Sequence, residues 1–461
     1  MRRPAPLLTV LALLNLLALG CDDGGDGGSA SSGDPTPGDV TFHKDVEPIL
    51  QASCLNCHTA GRIGGFSLLT YEEASPMSSA IASWTSAGLM PPWHAETTDD
   101  CVPRHDFVND PTLTAEDIAT LKAWHDGGAP RGNPEDAPPA YVPSDDGLPN
   151  LSLEVPAAEA TIVEGDADMF VCVVHDPQLT SSVFVNGIHI VPSNPEVAHH
   201  ALISRVSRVD ALVASGGQAS YPCFGRPPGD MIHAWAPGTL PLELPSTVGM
   251  PMAEDDVLVV QMHYHPSAEG PLEDRSSIQL RFLDEEPAWQ YRVQLIGNAK
   301  QAPQLLPGPN DDGTPEFFIP ANVEDHSETM EFKLPNLPFN VPVLVVGTHM
   351  HYVGTSARFS VLRADPTEQN PADECFVKTP SWDFNWQRFY MSDAPIHQLP
   401  TVGGGDTIRL ECLYNNSMSN PHLAKALEEE GFTMPKDVPM GEETLNEMCI
   451  GLMGLLVPNA G

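Results

Sequence analysis

The sequence predicts a multidomain chain in which a small all-α domain is followed by two all-β sandwiches. Three observations carry that prediction. The 461 residues divide into about three domains at roughly 150 residues each, and 41% are hydrophobic, enough to fill real cores. Apolar residues at helical spacing mark the stretch before residue 132 as small and helical. Beyond residue 150 the chain turns to short apolar runs such as MFVCVVH and VLVVQMHYHP, set between Pro and Gly turns, which is strand texture. The 62 acidic residues against 22 Lys plus Arg give a formal net charge of -40. That surface repels phosphate backbones and anionic headgroups, so nucleic-acid binding is excluded.

Residues 1–20 read as an export signal. Arg2 and Arg3 precede an apolar run from Leu7 to Leu19, broken only by Thr9 and Asn15 and too short to span a membrane comfortably. The run ends at LLALGC, and Gly20 before Cys21 resembles a bacterial lipoprotein cleavage box in which Cys21 becomes the lipidated N-terminus. Ala18 stands where Leu is usual, and an ordinary signal peptide with an incidental cysteine is the alternative. Residues 21–40 (DDGGDGGSASSGDPTPGD within them) are a flexible tether. The expected setting is the periplasm or cell envelope, lipid-anchored rather than transmembrane.

Residues 41–132 form the helical domain. Phe42, Val46, Ile49 and Leu50 recur at helical spacing ahead of SCLNCHTAG. In LTAEDIATLKAWHDGGAP, Thr114 is the expected N-cap with Asp117 three residues on; Ile118, Leu121 and Trp124 face inward, and Gly127 to Pro130 end the helix. Residues 133–150 are a Pro, Gly and Asp-rich linker. The β region divides into sandwiches at 151–286 and 287–461, with the acidic LDEEPAW as the seam.

Cys54, Cys57 and His58 make CLNCH. Two thiols at this spacing can each add to a porphyrin vinyl group, and the adjacent imidazole then lies under the iron, so the motif reads as a c-type haem attachment. A zinc knuckle would need a second cysteine pair, and the nearest other cysteine is the lone Cys101. Met90 in GLMPPWH is the best sixth ligand because Pro91 and Pro92 stiffen the loop that carries it; Met77 and His94 are weaker choices. From CLNCH to LKAWHDGGAPRG the region resembles a class I cytochrome c module, which implies one-electron transfer.

The β region places His199 and His200 in EVAHHALI, His263 and His265 in VVQMHYHP, and His349 and His351 in GTHMHYVG. Residues i and i+2 of a strand point the same way, so His349 and His351 can hold one ion. His199 and His200 diverge unless a bulge or twisted end turns them together, and His263 can supply a third nitrogen. Single histidines of this kind are ordinarily hydrogen-bonded core or surface residues, and nitrogen ligands alone leave zinc as a competitor of copper.

The GxHxHxxG around His349 and His351, the HH followed by QxHY, and the terminal LNEMCIGLM are similar to motifs of the ascorbate-dependent type II copper monooxygenases, the family of peptidylglycine alpha-hydroxylating and dopamine beta-monooxygenases. The likeness covers residues 150 to 461. It implies two jelly-roll sandwiches, two copper ions, and hydroxylation of a C–H bond with dioxygen. Carried over, His199, His200 and His263 would hold a copper that stores and passes an electron, with Gln261 supporting it from outside. His349, His351 and Met448 would hold the catalytic copper, where a thioether favours Cu(I). His265 has no role in that pattern. The resemblance also implies disulfides Cys172–Cys223 and Cys412–Cys449, on the order of 4 kcal/mol each by chain entropy, the second anchoring the neighbour of Met448. Cys101 and Cys375 are left over, and nothing local decides whether they pair.

Two departures bear on substrate. An arginine two residues before the His-x-His pair is replaced by Gly347, and a tyrosine four residues after the methionine by Leu452. Neither can make a charge-assisted bond to a peptide carboxylate, so a small or exported substrate other than peptidylglycine is expected. Electrons would come from a soluble or protein donor, relayed by the haem toward the His199, His200 and His263 copper. A haem–copper electron-transfer oxidoreductase without hydroxylation, and a copper-binding lipoprotein, are the rival readings.

Overall fold

The computed structural model describes residues 35–60, 62, 64–142, 147–165, 168–267, 270–298, 304–441, 443 and 445–459. The export signal and Cys21 lie outside the described residues. Before residue 132 the regular structure is short helices. Phe42–Val46 runs into Glu47–Ser53, and Ala115–Asp126 carries the expected capping box, with the Asp117 amide donating to Thr114 Oγ1 at 3.1 Å and the Thr114 amide to Asp117 Oδ2 at 2.9 Å. Phe42, Val46, Leu50, Leu121 and Trp124 close a small core of their own. A further helix, Ser78–Ser86, packs on Ala115–Asp126; its serine-rich sequence has no strong apolar stripe to announce it.

From Leu153 onward the chain is mostly β-sandwich, with the helices Arg208–Ser215 and Pro421–Glu429 set between strands. Five strands of the first half pair in the order Ser220–Pro222, Met169–His175, Asp256–Tyr264, Ala198–Ser207, Asp230–Trp235. Four strands of the second half pair in the order Val323–Lys333, Thr407–Asn416, Gly354–Leu362, Asp373–Thr379. The opposing layers of the two halves are one continuous sheet. It is joined where Val248–Met252 of the first half meets Trp289–Gly297 of the second in a short parallel pairing, Trp289 against Val248 and Gln290 against Gly249. The expected seam is therefore a loop in sequence and a hydrogen-bonded junction in space. One apolar core follows the same route, with Leu344, Val345, Leu452 and Leu456 of the second half packed among first-half residues.

Residues 93–110, expected within the helical domain, lie instead along the second sandwich. Ala95 and Phe107 are buried in its core, the Glu96 amide donates to Lys378 O at 3.0 Å and the Val108 amide to Met391 O at 2.8 Å. Lys378 pairs with Asp100 at 2.6 Å and Arg104 with Glu374 at 2.5 Å. The Cys101–Cys375 disulfide fixes the same contact across a sequence separation of 274. Disulfides Cys172–Cys223 and Cys412–Cys449 complete the set, while Cys54 and Cys57 stay free. Three such bonds belong to an oxidising, exported compartment. No helix among the described residues is long and apolar enough to cross a membrane.

Candidate functional site

Adjacent strands Ala198–Ser207 and Asp256–Tyr264 bring His200 opposite His263, and the register then slips so that Tyr264 faces Ala198. His199 is the extra residue of that bulge, which turns its ring toward its neighbours. The Nδ1 atoms of His199 and His200 lie 3.1 Å apart, those of His199 and His263 3.1 Å, and those of His263 and His200 3.3 Å. Three imidazole nitrogens cannot all satisfy one another with protons, because each needs a lone pair opposite a hydrogen. A cation bound at their centre satisfies all three at once. Burial, then the neighbouring imidazoles, holds His200 well below the usual histidine range, which keeps its lone pair available.

Asp168 organises this cluster from behind. Its Oδ2 accepts from His263 Nε2 at 2.7 Å, and its Oδ1 contacts His265 Nδ1. Burial raises the Asp168 pKa, but the hydrogen bonds from His263 and His265 outweigh it and hold the group well below the carboxylate range. A carboxylate on the far ring nitrogen fixes tautomer and orientation. His265 thus belongs to the support of the cluster, with its ring stacked 5.3 Å from that of His199. Gln261 touches none of the three histidines by hydrogen bond; its Nε2 donates to Cys223 O at 3.2 Å and to Gly225 O. Phe224 between those residues packs edge-on to Phe170, which stacks on His263 at 4.3 Å.

The expectation that His349 and His351 share one strand needs correction. The Val341–His349 strand ends at His349, and His351 leaves the ladder because its amide donates to Glu447 Oε2 at 2.6 Å. The two rings still come to 5.2 Å, nearly perpendicular at 82°. His349 Nδ1 bonds Gln387 Oε1 at 2.6 Å, and His351 Nδ1 bonds Asn446 O at 3.0 Å. Both acceptors are oxygens, so both Nδ1 atoms carry hydrogens, and in the neutral rings Nε2 is the nitrogen that keeps a lone pair. Burial lowers His349, and lowers His351 to about 3, the second also depressed by His349.

Glu447 braces this second group. Fully buried, it also accepts from the amides of Met448 at 2.7 Å and Gly354 at 3.0 Å, and burial, opposed by those amides, pushes its carboxyl up to about 8. Tyr414 donates to Met448 O at 3.0 Å, and Cys449 is tied to Cys412. His349, His351 and Met448 line a cavity of about 340 Å³ that His200 also lines. Phe384 stands between the groups, 5.9 Å from the ring of His200 and 5.9 Å from that of His351. Gly347 and Leu452 face each other across paired strands. A Cβ at Gly347 would lie 2.8 Å from Phe389 Cδ1, so that position has no room for a longer side chain.

A second cavity, about 590 Å³, is lined by Cys54, Cys57, His58, Met77 and Met90 on the helical side. Its far wall is sandwich: His233, Gly238, Trp386, Arg388 and Phe389 among others. His94 is not on that wall; it is half-buried, and desolvation lowers its pKa, with Asp383 opposing. Burial pushes the Cys54 thiol up to about 12, with Cys57 adding to the effect, and raises Cys57 against the pull of Arg388 and Arg62. Sequence reasoning missed His233, whose two ring nitrogens are both buried without a partner.

No protein-family model and no curated protein matches the chain. Among solved structures it is similar to the cowpea mosaic virus top component at 10% identity and TM-score 0.24, covering 66% of this chain and 90% of that one. The major capsid protein P2 from bacteriophage PM2 gives 10% identity and TM-score 0.27 over 67% and 98%, and PNGF-II gives 9% and 0.26 over 66% and 65%. At those scores the description of the fold rests on the strand pairing alone.

Proposed function

We propose that this chain is an exported copper-dependent monooxygenase that hydroxylates a C–H bond of a small substrate with dioxygen, and that a haem attached at Cys54 and Cys57 supplies its electrons. The observation that carries the reading is the cavity that gathers His200 with His349, His351 and Met448, while His200 also belongs to three nitrogens converging within 3.3 Å. Two nitrogen-rich groups of different composition, one all imidazole and one with a thioether, suit a division between electron storage and dioxygen chemistry. Copper, when bound, supplies one-electron reduction of dioxygen.

The residues would act as follows. His199, His200 and His263 would hold one ion, with Asp168 fixing the His263 ring. His349, His351 and Met448 would hold the other, with Gln387 and Asn446 keeping both Nε2 atoms unprotonated. Phe384 and Leu452 give the cavity apolar surface for a hydrocarbon segment of substrate and limit its water. The closed-in Gly347 supplies no carboxylate clamp, which favours a substrate other than peptidylglycine. His58 and Met90 would hold the iron of a haem in the larger cavity, whose free thiols and volume fit that group. His58 is lowered by burial, against the Phe66 backbone, and so offers a neutral nitrogen.

The test is turnover of metal-loaded protein under labelled dioxygen against an extract of exported metabolites. One heavy oxygen in the product and one in water is the expected result. Product oxygen drawn wholly from water, or turnover independent of dioxygen, would reject hydroxylation and favour the electron-transfer alternative.

A further inference from the structure

The two cavities share a wall. Thr239, Arg388 and Phe389 line both of them. On the larger side, Arg388 Nη1 donates to Gly238 O at 3.3 Å. A Cβ built on Gly238 would lie 3.1 Å from Cys57 Sγ and 3.4 Å from Arg388 Nη2, so thiol and guanidinium close on the same glycine. That residue has φ +74, a conformation glycine adopts without strain. On the smaller side, the residue one peptide away, Gln387, bonds His349 Nδ1 at 2.6 Å. Cys57 packs near Gly238, Gly238 O accepts from Arg388, Arg388 is bonded through the backbone to Gln387, and Gln387 bonds His349, which gives a continuous route of contact, hydrogen bonds and covalent bonds.

We infer that Arg388 and Gln387 are the electron link between the haem pocket and the His349, His351 and Met448 site, which makes that site, rather than the three-histidine cluster, the first acceptor. The inference rests on the haem and copper readings proposed above, and it reverses the destination expected from sequence. Electronic coupling falls off less along bonds and hydrogen bonds than across gaps. From Thr239, the other polar wall residue, the bonded route to the three-histidine cluster runs back along the chain to Trp235 and across a strand pairing to Ala201 beside His200. Neither histidine group lines the larger cavity itself, so each is reached only through wall residues. Each transfer oxidises Fe(II) to Fe(III) and reduces one Cu(II) to Cu(I) with no bond made or broken, and an external one-electron donor restores Fe(II).

Arg388 has a second role in the same link. No carboxylate pairs with it among the described residues; its charge is set by Gly238 O and by the Trp386 ring 5.8 Å away. Desolvation opposes that charge. A cation close to the thiol that would carry the haem would stabilise the electron-richer ferrous state, and so would raise the haem potential.

The experiment uses full-length protein carrying covalent haem and two coppers. The haem is reduced with one equivalent of dithionite under argon, and its re-oxidation is followed by stopped-flow absorbance, with the Cu(II) signal read by freeze-quench electron paramagnetic resonance. His263→Ala, which removes the three-histidine acceptor, is expected to keep rapid re-oxidation, and His351→Ala to lose it. Arg388→Met is expected to lower the haem potential in a spectroelectrochemical titration, with Arg388→Lys restoring it. Re-oxidation that persists in His351→Ala, re-oxidation lost in His263→Ala, or an unmoved potential in Arg388→Met overturns the link while leaving the proposed function standing. Wild-type protein without covalent haem or without copper overturns both.

Discussion

At the scale of single residues, the side chains that touch a ligand differ from those that hold them. Asp168→Asn keeps a hydrogen-bonding oxygen but removes the charge behind His263. Its metal affinity at the three-histidine cluster is expected to fall roughly 10- to 100-fold, measured by chelator competition, with the His349 group unaffected. Met448→His should retain metal at the second group yet strongly reduce oxygenation, because an imidazole replaces the soft thioether; copper content and product yield measured together check this. The histidines themselves were legible in sequence, since HH, HxH and CxxCH are local patterns. Asp168, Glu447, Gln387 and His233 were not. Each comes to its place through strand pairing or a turn distant in sequence, and an isolated acid or amide carries no local signal of the histidine it will meet.

At the scale of elements, the strands were legible from their apolar runs and the capped Ala115–Asp126 helix from Thr114 and Asp117. The strand ends were not, because side chains end them: Glu447 takes the His351 amide, and the bulge at His199 shows only once Asp256–Tyr264 lies beside it. His175, at the end of Met169–His175, binds the leading strand of the sandwich by its Nδ1 to Val155 O at 2.9 Å. Burial lowers its pKa to about 4, with that carbonyl and Asp274 pulling the other way. Its unfolded pKa is about 6.5, so the unfolded chain binds the extra proton between those values. Stability from this group is complete above pH 6.5 and is lost as pH falls toward 4, by roughly 3 kcal/mol at most. Urea midpoints at pH 7.5 and pH 5 should therefore differ less in His175→Gln than in the parent, and an equal difference would contradict the assignment.

At the scale of the whole molecule, the division into a helical unit and two β halves followed from composition and texture. The continuous sheet and the placement of residues 93–110 did not, because both depend on which surfaces meet after folding. The Cys101–Cys375 bond now has a magnitude: replacing both by serine should cost roughly 5–6 kcal/mol by the chain-entropy estimate, less if the reduced chain keeps structure, read as a lower thermal midpoint with the other two disulfides intact. The same bond makes a covalent ring of everything from residue 101 to residue 375, including the 133–150 linker and the whole first sandwich. A protease that nicks the linker opens this ring without dividing the protein. On a non-reducing gel the nicked chain should run as one band with its haem stain still attached to the full mass, and only a reductant should release a stained amino-terminal fragment.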